Sequence, residues 1–371
     1  MRPDKLQSMD HRGRLRRLQE ALGANSLDAI LITHVPNVRY LCGFTGSAAA
    51  LLITENSATF FADGRYTAQA RNEVKGARVV IDRKPALIKA AEWASRRKAK
   101  GSRKIAIGIE AEHLSVANRG RVAGILGSGF RLKETPALVE QARMVKDPEE
   151  LDQIQGAVLL GASLFDVAFK TIRPGVKETE VAAEMEYAAR RCGAEGMSFE
   201  TIVASGERSS LPHGRASNSP IPRHGFVVCD FGVILAGYCS DMTRTLYVGQ
   251  PTSEARDLYQ AVREAQQSGI EAVAPGVAVG EVDRRTRNVL SKKKLGRYFS
   301  HSTGHGVGLE IHEPPRIAAK QAEVLRPGMI VTIEPGVYIP GRWGVRIEDM
   351  LLVTERGCEV LTPTSKELIS I

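Results

Sequence analysis

Aromatic residues are scarce in this 371-residue chain, at 5%, with only two tryptophans. No nucleic-acid-binding motif accompanies them, so a nucleic-acid partner is not expected. The first twenty residues, MRPDKLQSMDHRGRLRRLQE, are charged and lack the apolar centre of a secretory signal. The longest apolar stretch considered, SAAALLI (47–53), is far too short to span a bilayer. No membrane association is expected. Cysteine is sparse too: five residues, at 42, 192, 229, 239 and 358, with no C-x-x-C pair. An odd, scattered set excludes a disulfide framework and predicts reduced thiols in a cytoplasmic protein.

What is present fits an ordinary globular protein large enough for two domains, 43% hydrophobic and 25% charged. Its charge is uneven. Residues 1–146 hold 26 Lys and Arg against 13 Asp and Glu, a net +13, while the remainder carries −4. The densest basic run, SRRKAKGSRK (95–104), reads as a solvated helix end and loop before the strand IAIGI.

The N-terminal part alternates helix and strand. Leucines 15, 18 and 22 form one helical face in RGRLRRLQEAL (12–22). Strands are predicted at DAILIT (28–33), SAAALLIT (47–54), SATFFA (57–62), VVI (79–81), IAIGI (105–109) and FRLKE (130–134). Helices are predicted from near Arg65 and up to Trp93. This is an α/β domain, assigned to residues 1–142. The second domain, 143–371, opens on a helix with Asp147 as N-cap, Pro148 at its first position, and Glu149 and Glu150 in its first turn.

That second part echoes itself. PGVKETEV (174–181) and PGVAVGEV (275–282) agree at five of eight positions. Each follows one helix and begins another. Each precedes an apolar strand ending in an acid, FVVCDFG (226–232) or MIVTIEPG (329–336), and then a second acid-bearing strand, GYCSDMTRT (237–245) or GVRIEDMLL (344–352). Two related halves about a pseudo-twofold axis follow from that order. Their acids are Asp230, Asp241, Glu334 and Glu348.

Acids on strands are costly to bury without a partner, and four in matched positions point to a shared cation. Two divalent ions would neutralise them, and a bridging hydroxide would complete a hydrolytic centre. Bound ions lower the pKa of water from 15.7 to about 7. Oxygen-rich ligands with one imidazole suit Mn²⁺ best, ahead of Co²⁺, Zn²⁺ or Fe²⁺. Alternation puts Thr243 and Thr245 on the face of Asp241, and Arg346 on that of Glu348, where Arg346 either supports a ligand or binds a substrate carboxylate. Cys229 points away from Asp230 and is not a ligand.

Histidines crowd HSTGHGVGLEIHEPP (301–315). His301 and His305 have the spacing of H-E-x-x-H, but Ser302 stands where the glutamate belongs, and Gly304, Gly306 and Gly308 exclude a helix. No helix follows to make them a dinucleotide fingerprint. They are expected to let backbone approach the metal site closely.

Together VCDFG…SDMTRT, STGHGVGLEIHEPP, VTIEPG and VRIEDM resemble the signature set of the pita-bread metallopeptidases, over residues 140–362. NVRYLCGF (37–44) and ADGRY (62–66) are similar to the N-terminal domain of the creatinase, prolidase and aminopeptidase P branch, which methionine aminopeptidases lack. The resemblance implies an α/β creatinase-like domain followed by an α+β pita-bread catalytic domain. It implies Asp230, Asp241, His305, Glu334 and Glu348 as metal ligands, with Asp241 and Glu348 bridging both ions. Glu334 would handle the proton of the bridging water. His213 and His312 would contact substrate outside the metal shell, His301 would line the pocket, and Arg346 would lie beside the site. His11, His34, His113 and His224 are left structural or solvated.

The implied function is a metal-dependent exopeptidase cleaving Xaa-Pro bonds at the N-terminus of short peptides, aminopeptidase P-like or prolidase-like. A metal-held nucleophile suits that bond because it needs no contact with the N–H that a tertiary amide lacks. The alternatives are another small-amide hydrolase on this scaffold and a non-catalytic peptide-binding module, which the complete ligand set argues against. A homodimer is expected, the partner's basic domain narrowing the entrance.

Overall fold

A computed structural model describes residues 9–98 and 103–371. Residues 99–102 of the basic run, and the first eight of the chain, lie outside the described residues. The chain divides into two compact units, Met1–Arg143 and Met144–Ile371.

The first unit is built on a six-stranded mixed sheet: β1 (Ala29–Ile32), β2 (Ala50–Thr54), β3 (Ser57–Asp63), β4 (Arg78–Asp82), β5 (Ile105–Glu110) and β6 (Phe130–Thr135), in the order β4-β3-β2-β1-β5-β6. Its central strands are apolar on both faces because helices cover it. Those helices are α1 (His11–Ala24), α2 (Val35–Cys42), α3 (Thr67–Glu73), α4 (Ala86–Ala94), α5 (Val116–Leu126) and α6 (Leu138–Met144). Leu31, Leu52, Phe61, Ala91, Ile107 and Val122 belong to one core cluster. No helix is expected from the sequence where α2, α5 and α6 form. For α2 the reason is a distant partner. The N-cap residue of this helix, His34, makes no side-chain cap. Instead the buried carboxylate of Glu110, at the end of β5, accepts from the backbone of Thr33 and His34 and from Asn37.

In the second unit α7 (Pro148–Thr171) starts on a complete capping box: Asp147 accepts from the Glu150 backbone at 3.0 Å and Glu150 returns the bond at 3.1 Å. By length and composition α7 could cross a membrane, a stretch the sequence reading passed over. Here its apolar face, including Leu164, Phe165 and Ala168, belongs to the core. α8 (Glu178–Arg191) follows, then β7 (Gly196–Met197), β8 (Ile202–Ser205), β9 (Gly225–Phe231), β10 (Val233–Leu235), β11 (Tyr238–Cys239) and β12 (Met242–Val248). The second half repeats the plan with α9 (Ser253–Ala272), α10 (Val279–Lys292), β13 (Gly304–Gly306), β14 (Glu313–Ile317), β15 (Ile330–Ile333), β16 (Gly336–Ile339), β17 (Trp343–Arg346), β18 (Asp349–Val353) and β19 (Cys358–Val360).

The echo is structural down to single hydrogen bonds. Gly175 donates to Ile221 and Gly276 to Leu325. Ile221 donates to Val176 and Leu325 to Val277. Lys177 bridges Pro220 as Ala278 bridges Val324. Each half then lays three antiparallel strands side by side, β8-β9-β12 in the first and β13-β15-β18 in the second.

Candidate metal centre

The five candidate ligands leave these strands at matched places. Asp230 is in β9, opposite Thr243 of β12. Asp241 immediately precedes β12 and Glu348 immediately precedes β18, while Glu334 immediately follows β15. His305 is the middle residue of β13. Adjacent strands thus bring together acids far apart in sequence. Ligand atoms of Asp241, His305 and Glu348 all lie within 4.8 Å of one another. His305 Nε2 is 3.6 Å from Asp241 Oδ2 and 3.5 Å from Glu334 Oε1.

The cluster is dry: Asp230, Asp241 and Glu348 are 8%, 5% and 2% exposed. Burial, then the neighbouring acids Glu348, Asp230 and Glu334, holds the Asp241 carboxyl well above the usual carboxylate range. Burial, then Glu334 and Asp230, does the same to Glu348. Burial pushes Glu334 up to about 8. His305 is driven the other way, to about 4, by burial and then by His312, so its ring is neutral. Its Nδ1 lies 3.0 Å from the Gly306 carbonyl. That carbonyl only accepts, so the proton sits on Nδ1 and the Nε2 lone pair faces the carboxylates. One oxygen of Asp230, Oδ1, is buried with no hydrogen-bond partner. Repelling carboxylates, an imidazole lone pair and an orphaned acceptor call for more positive charge than the neighbouring Arg346 supplies. These residues fit divalent metal.

Around them runs a polar frame. Arg346 donates from Nη2 to Asp230, from Nε to Thr243 Oγ1 at 3.1 Å, and from Nη1 to Tyr338 Oη at 2.6 Å and the Pro212 carbonyl at 2.9 Å. Arg346 is 3% exposed, and these bonds tie it to the candidate ligand Asp230 and to the side chains around it. Thr243 donates to Glu348 at 2.7 Å. Thr245 faces the same strand, donating to the Arg346 carbonyl at 2.8 Å.

The histidines divide by exposure. His301 is mostly covered, its Nδ1 2.8 Å from the Ser302 carbonyl and its Nε2 3.0 Å from Tyr338 Oη. Burial, then Arg346, lowers its pKa to about 4. His213 and His312 are open to solvent. The His312 ring stands edge-on to His305 at 4.4 Å between centroids. Its pKa is lowered by burial of its inner side, and His213 acts on it electrostatically. The residue after His312 is anchored by a buried ion pair, Glu313 with Lys146 at 3.0 Å.

Sequence reasoning missed Tyr338, that ion pair and Thr332, whose hydroxyl accepts from the His305 backbone at 3.1 Å. The alternation in Gly336–Ile339, beside the second hairpin, was the available signal for Tyr338. The glycines also do something different from expectation. A Cβ on Gly304 would lie 1.9 Å from the Thr332 carbonyl oxygen, and one on Gly306 2.3 Å from that of Pro314. They admit neighbouring strands, and the metal site benefits indirectly. Cys229 packs in the apolar core, where burial raises its thiol to about 12. All five cysteines are free. Of the histidines set aside, His34 stacks on His113 at 3.5 Å and His11 meets the Tyr40 carbonyl.

Residues 152–355 match the model of metallopeptidase family M24, and residues 14–145 that of the creatinase/prolidase N-terminal domain. A Xaa-Pro dipeptidase of Pyrococcus horikoshii is 37% identical over 96% of this chain and 98% of its own. The solved Xaa-Pro dipeptidase from Bacillus anthracis superposes with a TM-score of 0.92 at 40% identity, covering 98% of this chain and 100% of that one. An X-Pro aminopeptidase structure from Thermotoga maritima gives 0.84 at 35% identity, over 93% and 98%.

Proposed function

Because the chain belongs to metallopeptidase family M24, we propose that it is a metal-dependent exopeptidase cleaving the Xaa-Pro bond at the N-terminus of short peptides. The observation that carries this reading is the convergence of ligand atoms of Asp241, His305 and Glu348 within 4.8 Å, with Glu334 Oε1 3.5 Å from the His305 ring and a buried, unpartnered oxygen on Asp230. These five residues would hold two divalent ions, and their oxygen-rich donor set with one imidazole would suit Mn²⁺. The ions, when bound, supply Lewis acidity for the carbonyl and an acidified water.

The rest falls to the protein's own groups. Glu334 Oε1, beside the His305 ring, takes the proton of the attacking water and returns it toward the departing nitrogen. His312 and His213 form the open side and meet the scissile carbonyl and the proline nitrogen. Neutral His301 accepts from Tyr338 and closes the pocket wall. Arg346 holds Asp230 and Tyr338 in place through the reaction. Support for proline comes from the relatives named as Xaa-Pro dipeptidases and X-Pro aminopeptidase.

The deciding experiment is metal analysis of the purified protein followed by hydrolysis of a Xaa-Pro dipeptide and a Xaa-Pro-Xaa tripeptide. Metal-dependent cleavage of the dipeptide, faster than of the tripeptide, is expected from the more similar relatives. Failure to cleave either with metal bound overturns the reading. A cytoplasmic homodimer belongs to the same proposal, on the five free thiols and the basic N-terminal unit, and light scattering of the intact protein tests the dimer.

A further inference from the structure

Two buried carboxylates outside the metal set occupy related places in the two halves. Glu178 opens α8 and is 0% exposed. Asp283 lies in α10 and is 1% exposed. In the aligned echo Glu178 corresponds to Val279, so Asp283 sits one helical turn further on.

The bonds of Glu178 do not go to its own helix. Oε1 accepts from the backbone and hydroxyl of Ser205, at 2.7 and 2.9 Å. Oε2 accepts from the backbone and hydroxyl of Ser217, at 3.1 and 2.7 Å, and from Arg208 Nε at 3.0 Å. Arg208 then donates to the Arg215 carbonyl at 2.8 Å. One carboxylate therefore grips both ends of the segment 205–217, which presents His213. Asp283 accepts from Thr303 Oγ1 at 2.7 Å and from Arg287 Nε at 2.8 Å. Arg287 donates to the carbonyls of Phe299 and His301 and lies over the Phe299 ring, which meets the His301 ring edge-on. Here the grip is on 299–303, which presents His301.

Glu178 is not needed for the scaffold. The same turn, the same backbone bonds and the same helix start form in the second half with Val279 where the first has Glu178. A helix N-terminus favours an acid nearby, but five donors from a single loop exceed what that requires. We propose that Glu178 and Asp283 are positioning residues: each, with its arginine, fixes the loop that carries one pocket histidine, Glu178 for His213 and Asp283 for His301. This rests on the proposed role of those histidines at the substrate.

A double-mutant cycle tests it, with kcat, KM and bound metal measured for Glu178→Gln in the native and His213→Ala backgrounds. Misplacing a reacting group by about 1 Å costs roughly 10²-fold in rate. Glu178→Gln is expected to lose that much kcat with metal content unchanged, and to lose little more once His213 is alanine. Arg208→Ala, at a partly exposed residue, should show a smaller loss with the same dependence, and serves if the buried substitution unfolds. Asp283→Asn against His301→Ala forms the second cycle. Equal losses in both backgrounds, or a loss of metal from Glu178→Gln, would overturn the positioning role alone. Full turnover by His213→Ala would overturn the histidine's part in the reaction, and the brace with it.

Discussion

The two halves of the second unit share a frame and differ in what they hang on it. Both place an acid immediately before their last shared strand, Asp241 before β12 and Glu348 before β18. Only the second half supplies an imidazole to the cluster. Its β13 carries His305, whereas the corresponding β8, Ile202–Ser205, is buried and carries no metal-binding side chain. The first half carries His213 out on a loop instead. Repetition therefore gives the centre its paired carboxylates, and departure from repetition gives it one imidazole and an open side. A fully symmetric duplicate would have either two imidazoles or none.

The largest effect tests the shared part. Asp241→Ala and Glu348→Ala, one from each half, are each expected to abolish metal binding and reduce turnover to background. Metal analysis that finds full occupancy in one variant breaks the equivalence. The next test addresses the unshared part. His312→Ala should retain metal and lose kcat by roughly 10²–10⁴-fold, as for a general acid–base group. Metal loss instead would make His312 a ligand and the halves less alike than described. A milder substitution probes the seam between them. Thr243→Val removes a hydroxyl that donates to Glu348 and accepts from Arg346, and should weaken metal affinity roughly 10–100-fold. Competition with a chelator reads that shift, and unchanged affinity would separate the hydroxyl from the ligand.

The smallest effect is a pH dependence. Glu334 keeps its proton up to about 8 in the folded, metal-free protein, against 4.5 in an unperturbed chain. Between those values Glu334 binds its proton in the native state and not in the unfolded one, so its contribution to stability falls as pH rises. Below about pH 6.5, His301 and His305, held neutral with pKa near 4, oppose that trend, so chelated protein should melt at progressively lower temperature from about pH 6.5 to 8. Metal should remove that slope by favouring the ionised carboxylate. A chelated protein whose melting point rises over this range would contradict the crowding of like charges.

Much of this was legible because its causes are local. The N-cap at Asp147, the paired strands 47–54 and 57–62 and the strand-acid order are written in adjacent residues, so the fold and the carboxylate cluster could be anticipated. The rest depends on partners distant in sequence. Helix α2 starts on the carboxylate of Glu110, 76 residues beyond His34. Tyr338 gains significance only when Arg346 and His301 close on it. Glu178 reads as an ordinary first-turn acid until the loop 205–217 folds over it. The role of Gly304 and Gly306 was misplaced for the same reason, since the strands they admit cannot be seen along the chain.

The contacts joining the two halves are long in sequence: Thr243 to Glu348 and Arg244 to Asp349 span 105 residues each, Arg346 to Asp230 spans 116, and Arg346 to the Pro212 carbonyl spans 134. Each half forms its helix pair and strands from nearer contacts. Closing the centre must then wait for the two to meet, with a large loop already restrained. Refolding should accordingly regain helical signal before it regains the ability to take up metal. A cation that binds only the joined form draws the last step forward by mass action. The ion that equips the protein for chemistry then also acts as the clasp that completes its assembly.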